Sequence, residues 1–270
     1  MILCVDCFYV QGIPFLHTIS RKLQFRTVLS LEKKTKKCLL DGLRAVLDMY
    51  RARGFDVITV HADIQFKCLK NELRPVCSNI RAHDDHVGEV ERSIWTIKEG
   101  VHANVRGMPF RRLPRLLIVE LVCRSILVLN QFPALYGVSL TLSPLTIMTG
   151  VPLPNYNSLQ LEFGSYAQVF EMNDPTNTNK ARTTGAIVLN PTGNAQGSYH
   201  FMSLITGYRQ SRQQWTVLPM PNHVFAAVEA MAEDQKQPVA APYLNGNHNT
   251  PSPTPNPLSP LLPHPLALFL

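Results

Sequence analysis

Residues 2–31, ILCVDCFYVQGIPFLHTISRKLQFRTVLSL, decide the fold. The first nine, ILCVDCFYV, are too continuously apolar for a strand with one wet face. They are expected to form a central strand buried on both sides. Gln11-Gly12 fits a two-residue hairpin turn, after which IPFLHTIS (13–20) runs back. In LQFRTVLSL (23–31), Leu23, Phe25, Thr27, Leu29 and Leu31 share one face, and Gln24, Arg26 and Ser30 the other. Three strands joined by short turns are expected to be antiparallel.

Beyond them the period changes. Over 33–53, Leu39, Leu40, Leu43, Val46, Leu47 and Tyr50 fall on one helical stripe that Gly54 is placed to end. FDVITVHA (55–62) returns to strand, and the helical crossover allows this strand to lie parallel to a neighbour. Asp63 stands at its C-terminal end. A short helix over 65–74 and a weak strand over 76–82 are expected next. Val87, Val90, Ile94, Ile97, Val101 and Val105 then mark a helix over 87–106, and 116–129 reads as a buried helix. From 136 the helical period fades. Apolar runs such as LQLEFGSYAQVF and TGAIVL alternate with Pro, Gly and Asn, as in a small β-rich module, and Val224–Ala232 adds a helix. After Asp234 there are 9 prolines in 36 residues, the composition of an extended, disordered tail. The expected domains are therefore 1–135, 136–234 and 235–270.

Composition narrows the function. The net charge is +7, and residues 1–110 hold 17 Lys/Arg against 12 Asp/Glu, so the basic surface lies in the first half. Such a surface suits nucleic acid, although the run Lys33, Lys34, Lys36, Lys37 also reads as an ordinary solvated helix start. No apolar run is long enough to suggest a membrane span, and MILCVDCFYV lacks the basic leader of a signal peptide. The six cysteines are expected to be free thiols. Cys4 and Cys7 form a CxxC, which inside an apolar run reads as two core residues on a strand.

Asp6 lies within the first strand, where an ionised carboxylate is costly unless something compensates. Three antiparallel strands, a helix and a parallel strand resemble the opening of a ribonuclease H-like fold. There the first and fourth strands can be neighbours, bringing Asp6 and Asp63 together, and a divalent cation would relieve their repulsion. The third carboxylate is expected to be Glu91. Glu89, two residues away, points to nearly the opposite side of the helix, so only one of the two can reach the site. Lys98 shares the face of Glu91 and could meet a phosphate. Trp95 is four residues from Glu91; packing in the core is its expected role, with stacking on a base the alternative. His83-Asp84-Asp85-His86 is not a zinc spacing and reads as a polar loop, with Asp85 a minor alternative ligand.

Several stretches together carry a resemblance. VDCFYVQGIPFLHTISR, YRARGFDVITVHADIQF, DDHVGEVERSIWTIKE, LVLNQFPALYGVSLTLSPLTIMTG, EFGSYAQVFE, ARTTGAIVLNPTGNAQGSYHFMSLITGYR and WTVLPMP occur in that order between residues 2 and 232. In this respect the chain resembles the integrase region of copia-type retrotransposon polyproteins, of the algal and diatom variety. The resemblance implies an α/β fold: a ribonuclease H-like core of the DDE class, a small mainly-β module and a disordered Pro-rich tail. It implies phosphoryl transfer by two metals joining element DNA to host DNA, with Asp6, Asp63 and Glu91 as catalytic and metal-binding residues. Mg²⁺ or Mn²⁺ would be the cofactor. Arg92, Lys98, Arg106, Arg111 and Arg112 are the candidate DNA contacts. The implied partner is DNA, in the nucleus after a cytoplasmic stage, with a possible homo-oligomer, no membrane and no small-molecule substrate.

The chain also departs from the family pattern. The interval 64–90 is shorter than usual, Ile64-Gln65-Phe66 stands where the family has GlyGluPhe, and no His-His-Cys-Cys module precedes residue 2. The sequence reading therefore expects a truncated fragment. It leaves open an active integrase, a DNA-binding remnant without chemistry, a ribonuclease H-like nuclease recruiting Asp84, Asp85 or Glu89, and an interaction scaffold using the tail.

Overall fold

The computed structural model describes residues 1–80, 88–151, 160–171, 181–194 and 196–239. These divide into two compact units. One is drawn from Met1–Gly100 and Ser125–Pro154, the other from Val101–Arg124 and Asn155–Asn245.

The first unit is built on a five-stranded sheet. The strands β1 (Ile2–Val10), β2 (Ile13–Ser20) and β3 (Arg26–Ser30) are followed by helix α1 (Lys36–Ala52) and strands β4 (Thr59–Ala62) and β5 (Cys77–Ile80). The spatial order is β3-β2-β1-β4-β5. The first three strands are antiparallel, while β4 runs parallel to β1 and β5 parallel to β4. The expected hairpin turn is present: Gln11 and Gly12 both take positive φ, 45° and 78°, the primed geometry that matches the twist of the flanking strands. Every residue of β2 is buried, consistent with its inner position.

Alternation along β1 sorts its side chains between two faces. Leu3 and Val5 join a core with Leu39, Leu43, Val46 and Tyr50 of α1, and Val60, Ala62 and Phe66 complete it. The face carrying Cys4, Asp6 and Phe8 meets helix α2 (Gly88–Gly107). There the Cys4 thiol bonds Glu89, and Ser93 bonds His17, the residue paired with Asp6 across the hairpin. Thr35 caps α1, its hydroxyl accepting from the Cys38 amide at 3.3 Å.

Some boundaries differ from expectation. β4 starts at Thr59 rather than at Phe55. The Phe55 amide closes the end of α1 on the Tyr50 carbonyl, and the chain joins the sheet only where Ile58 and Thr59 donate to the Met1 carbonyl. The expected helix over 65–74 is a single 3-10 segment, Ile64–Leu69. Within 136–151, where helical structure was not expected, α4 (Pro144–Thr149) lies between helix α3 (Arg115–Gln131) and the second unit's strands in the sequence. Ser143 caps it, Pro144 begins it, Gly150 ends it at φ 73°, and Met148 packs into the first unit's core. The first unit thus reaches past the expected boundary at 135.

The second unit holds an antiparallel sheet of β6 (Tyr166–Phe170), β7 (Thr183–Pro191), β8 (Tyr199–Ser203), β9 (Arg209–Arg212) and β10 (Trp215–Val217), in the order β10-β6-β7-β8-β9. Leu161, Val169, Val188, Tyr199 and Phe201 form its core, with Trp215 against them. Helix α5 (Asn222–Asp234) sets Phe225 against Phe110. Glu120, only 1% exposed, accepts from Arg209 at 3.0 Å and from Asn190 at 2.8 Å. The whole is a mixed α/β protein. Among the described residues no helix is long and apolar enough to cross a membrane. The expected tail lies outside the described residues from 240 onward.

Candidate functional site

The parallel register of β1 and β4 aligns Val5 with Ala62, so the next residues along the two strands are Asp6 and Asp63. The strand-forming sequence therefore delivers two carboxylates to one edge. Asp63 occupies the position that caps the 3-10 segment, yet its side chain makes no capping hydrogen bond. A purely local role as a loop cap is thus not what its carboxylate serves.

Asp6 is half-buried. Its Oδ1 accepts from the Cys7 amide at 2.6 Å and from Gln65 Nε2 at 3.0 Å. Burial pushes its carboxyl up to about 6. The Cys7 amide and the Lys34 ammonium oppose the rise, and the negative charges of Asp63 and Glu91 add to it. Asp6 therefore lies within electrostatic reach of both partners named from the sequence. Glu91 itself is exposed on the first turn of α2.

Glu89 is engaged elsewhere. Arg21 holds it at 2.8 Å, and the Cys4 thiol donates to it at 3.1 Å. Burial works to raise its carboxyl, but the bonds from Cys4 and Arg21, with the charge of Arg21, bring it below the usual range. Asp84 and Asp85, with His83 and His86, lie outside the described residues.

Among the described residues, no three His, Cys, Asp or Glu side chains gather closely enough to hold a metal as one group. The three carboxylates share a field but not a tight cluster. Cys4 is buried and Cys7 half-buried on opposite faces of β1, and none of the six cysteines is in a disulfide. Burial drives the Cys7 thiol up to about 12, so it stays protonated.

Trp95 corrects an expectation. It is not packed in the core but 64% exposed, because Val90, Ile94 and Ile97 take the buried face of α2. Arg92 is exposed and Lys98 half-exposed on the same helix in the first unit. The other candidate cations belong to the second unit. Arg106 and Arg111 are exposed there, the Arg111 amide donates to Glu229, and Arg112 is ion-paired with Glu233.

Sequence reasoning missed three contributors. Lys34 acts on Asp6 and stands 6.0 Å from the Tyr9 ring centroid, although its lysine-rich run looked merely solvated. Gln65 fixes the Asp6 carboxylate, and its signal was its place two residues after Asp63. The Cys4–Glu89–Arg21 contact secures the start of α2, but its members are too far apart in sequence to show any local pattern. No family model matches the chain, and no curated protein matches it.

Proposed function

We propose that the first unit is a ribonuclease H-like core of the retrotransposon integrase kind, acting on DNA in the nucleus. In this reading it cuts and joins strands by phosphoryl transfer assisted by Mg²⁺ or Mn²⁺. The observation that carries the proposal is that Asp6 and Asp63 each follow the last paired residues, Val5 and Ala62, of the neighbouring parallel strands β1 and β4, with the charges of Asp63 and Glu91 both acting on Asp6. The strand order β3-β2-β1-β4-β5 supports the fold assignment.

The donor chemistry fits a hard divalent cation. Carboxylate oxygens are the ligands such ions take, and Asp6 carries the unfavourable charge environment that a cation relieves. Asp6 and Asp63 would hold the ion, with Glu91 as the third carboxylate. When bound, it would neutralise charge on a phosphate and on the attacking and leaving oxygens. The chain's own residues have separate tasks. Gln65 and the Cys7 amide orient Asp6, Arg21 and Cys4 anchor the helix that carries Glu91, and Lys34 supplies positive charge beside the acids.

The test is strand nicking or joining on labelled DNA with Mg²⁺ or Mn²⁺. Metal-dependent product that Asp63→Asn abolishes is the expected result. Product that survives Asp63→Asn removes this site from the reaction. A second reading, a DNA-binding core without chemistry, is favoured by the lack of a three-ligand cluster among the described residues. It predicts salt-sensitive DNA binding and no product under any metal.

A further inference from the structure

The outward face of α2 has a composition that the carboxylates do not explain. Arg92, Trp95 and Lys98 are spaced by three residues, so they lie along one side of the helix. The distance from Arg92 to Lys98 along the axis is about 9 Å at about 1.5 Å per residue. Trp95 is 64% exposed. The other tryptophan, Trp215, instead packs against Tyr199 and Phe201 at ring distances of 5.3 and 5.7 Å. A single exposed apolar side chain is ordinary. An exposed indole with a cation three residues to either side on the helix, and one helical turn from a carboxylate whose charge reaches Asp6, is a more particular arrangement. A second exposed ring, Tyr9, follows Asp6 by three residues and has the Lys34 ammonium near its face.

We propose that this face is a nucleobase platform, with Trp95 stacking on an unpaired base of a DNA strand while Arg92 and Lys98 take the adjoining phosphates. The inference rests on the nucleic-acid reading above and adds the form of the substrate: single-stranded, or a duplex end with its last bases apart. In an intact duplex both faces of each internal base are already stacked, and an indole gains access only when a base leaves the stack. Arg92 and Lys98 supply phosphate contacts, while the exposed Glu91 and Glu99 four residues to either side of Trp95 leave this face without net positive charge, so the aromatic stack rather than bulk charge selects the occupant. Because Trp95 is one turn from Glu91, the stacked nucleotide would sit next to the strand segment offered to the carboxylates.

The test uses the full chain, a short single-stranded oligonucleotide and its blunt duplex, in EDTA so that chemistry plays no part, over a salt series. Binding of the single strand should quench the exposed tryptophan's emission. Trp95→Ala should weaken that binding by about 5- to 100-fold at every salt concentration, leaving the salt slope unchanged. Trp95→Phe should keep most of the affinity. Arg92→Gln and Lys98→Gln should each lower the slope by about 0.7. Circular dichroism controls for folding, which an exposed side chain affects little. If Trp95→Ala binds the single strand as tightly as the parent, the platform is overturned while the DNA reading stands. An equal loss on blunt duplex overturns the unpaired-base requirement. If the parent binds neither DNA at low salt, the nucleic-acid reading falls and takes this inference with it.

Discussion

Replacing Asp6 by Asn should make the protein more stable at neutral pH while removing the acid assigned to chemistry. The Asp6 carboxyl is pushed from 3.8 to about 6 in the folded chain. One pKa unit corresponds to ~1.4 kcal/mol, so the folded state bears at most ~3 kcal/mol for ionising this group. Asp6 is only half-buried, and solvent screening reduces that to ~1–2 kcal/mol. The sign follows from linkage. Between about pH 4 and 6 the folded chain binds the proton that the unfolded chain releases. This contribution to stability is therefore fully present below about pH 4, is lost as pH rises through about 6, and is flat above. Asn keeps an amide oxygen for the Cys7 and Gln65 donors and carries no charge. Calorimetric melting from pH 3.5 to 8 should show Asp6→Asn melting ~2–8 °C above the parent at pH 7.5, the two curves meeting near pH 4. Other groups titrate in both proteins and cancel in the difference. Added Mg²⁺ at pH 7.5 should raise the melting temperature of the parent and not of the variant. An Asp6→Asn protein that melts at or below the parent's temperature at pH 7.5 refutes the account of Asp6 as a strained carboxylate.

Three further perturbations probe other parts of the molecule. Asp63→Asn removes one charge acting on Asp6, so the pH at which the Asp6 contribution disappears should move down, seen in the same melting series. His17 is fully buried, and burial holds its ring down to about 4. With the Thr27 carbonyl accepting from Nδ1–H, Nε2 takes the Ser93 hydroxyl at 2.9 Å. Its depressed value gives the opposite sign to Asp6: stability present above about pH 6.5 is lost as pH falls through about 4. His17→Gln should shrink that acid limb while costing ~1–3 kcal/mol at pH 7 through imperfect bonding, measured by denaturant titration. Arg209→Met should destabilise the second unit by ~1–3 kcal/mol, since it removes the charged donor 3.0 Å from the buried Glu120 while Asn190 still donates to it, and the pair Arg209→Met with Glu120→Gln should recover part of that loss in a double-mutant cycle.

The first sheet was legible because its strands obey the simplest periods. ILCVDCFYV has no wet face, Leu23 to Leu31 alternates, and the α1 stripe repeats at helical spacing. The start of β4 was not legible, because Phe55 and Val57 are apolar for packing rather than for pairing: both lie against the core without joining the sheet. The helix α4 escaped notice although Ser143, Pro144 and Gly150 are ordinary start and stop signals. A helix of six residues shows too few turns for a period to emerge. Trp95 was assigned to the core by residue type, whereas its spacing from Arg92 and Lys98 already placed it with the polar side of α2. At the site, Asp6 and Asp63 could be read because strands carry them into register. Gln65 was marked only by its place two residues after Asp63, whereas the contributions of Lys34 and Arg21 depend on folding distance and leave no mark on local sequence.

β4 is four residues long, and four register pairs join it to β1. A one-residue slip along β1 would turn Asp63 toward the opposite side of the sheet. A deletion or insertion in the connector 53–58 that moved this register would part the paired acids as surely as replacing one of them, while every acid stayed in the sequence.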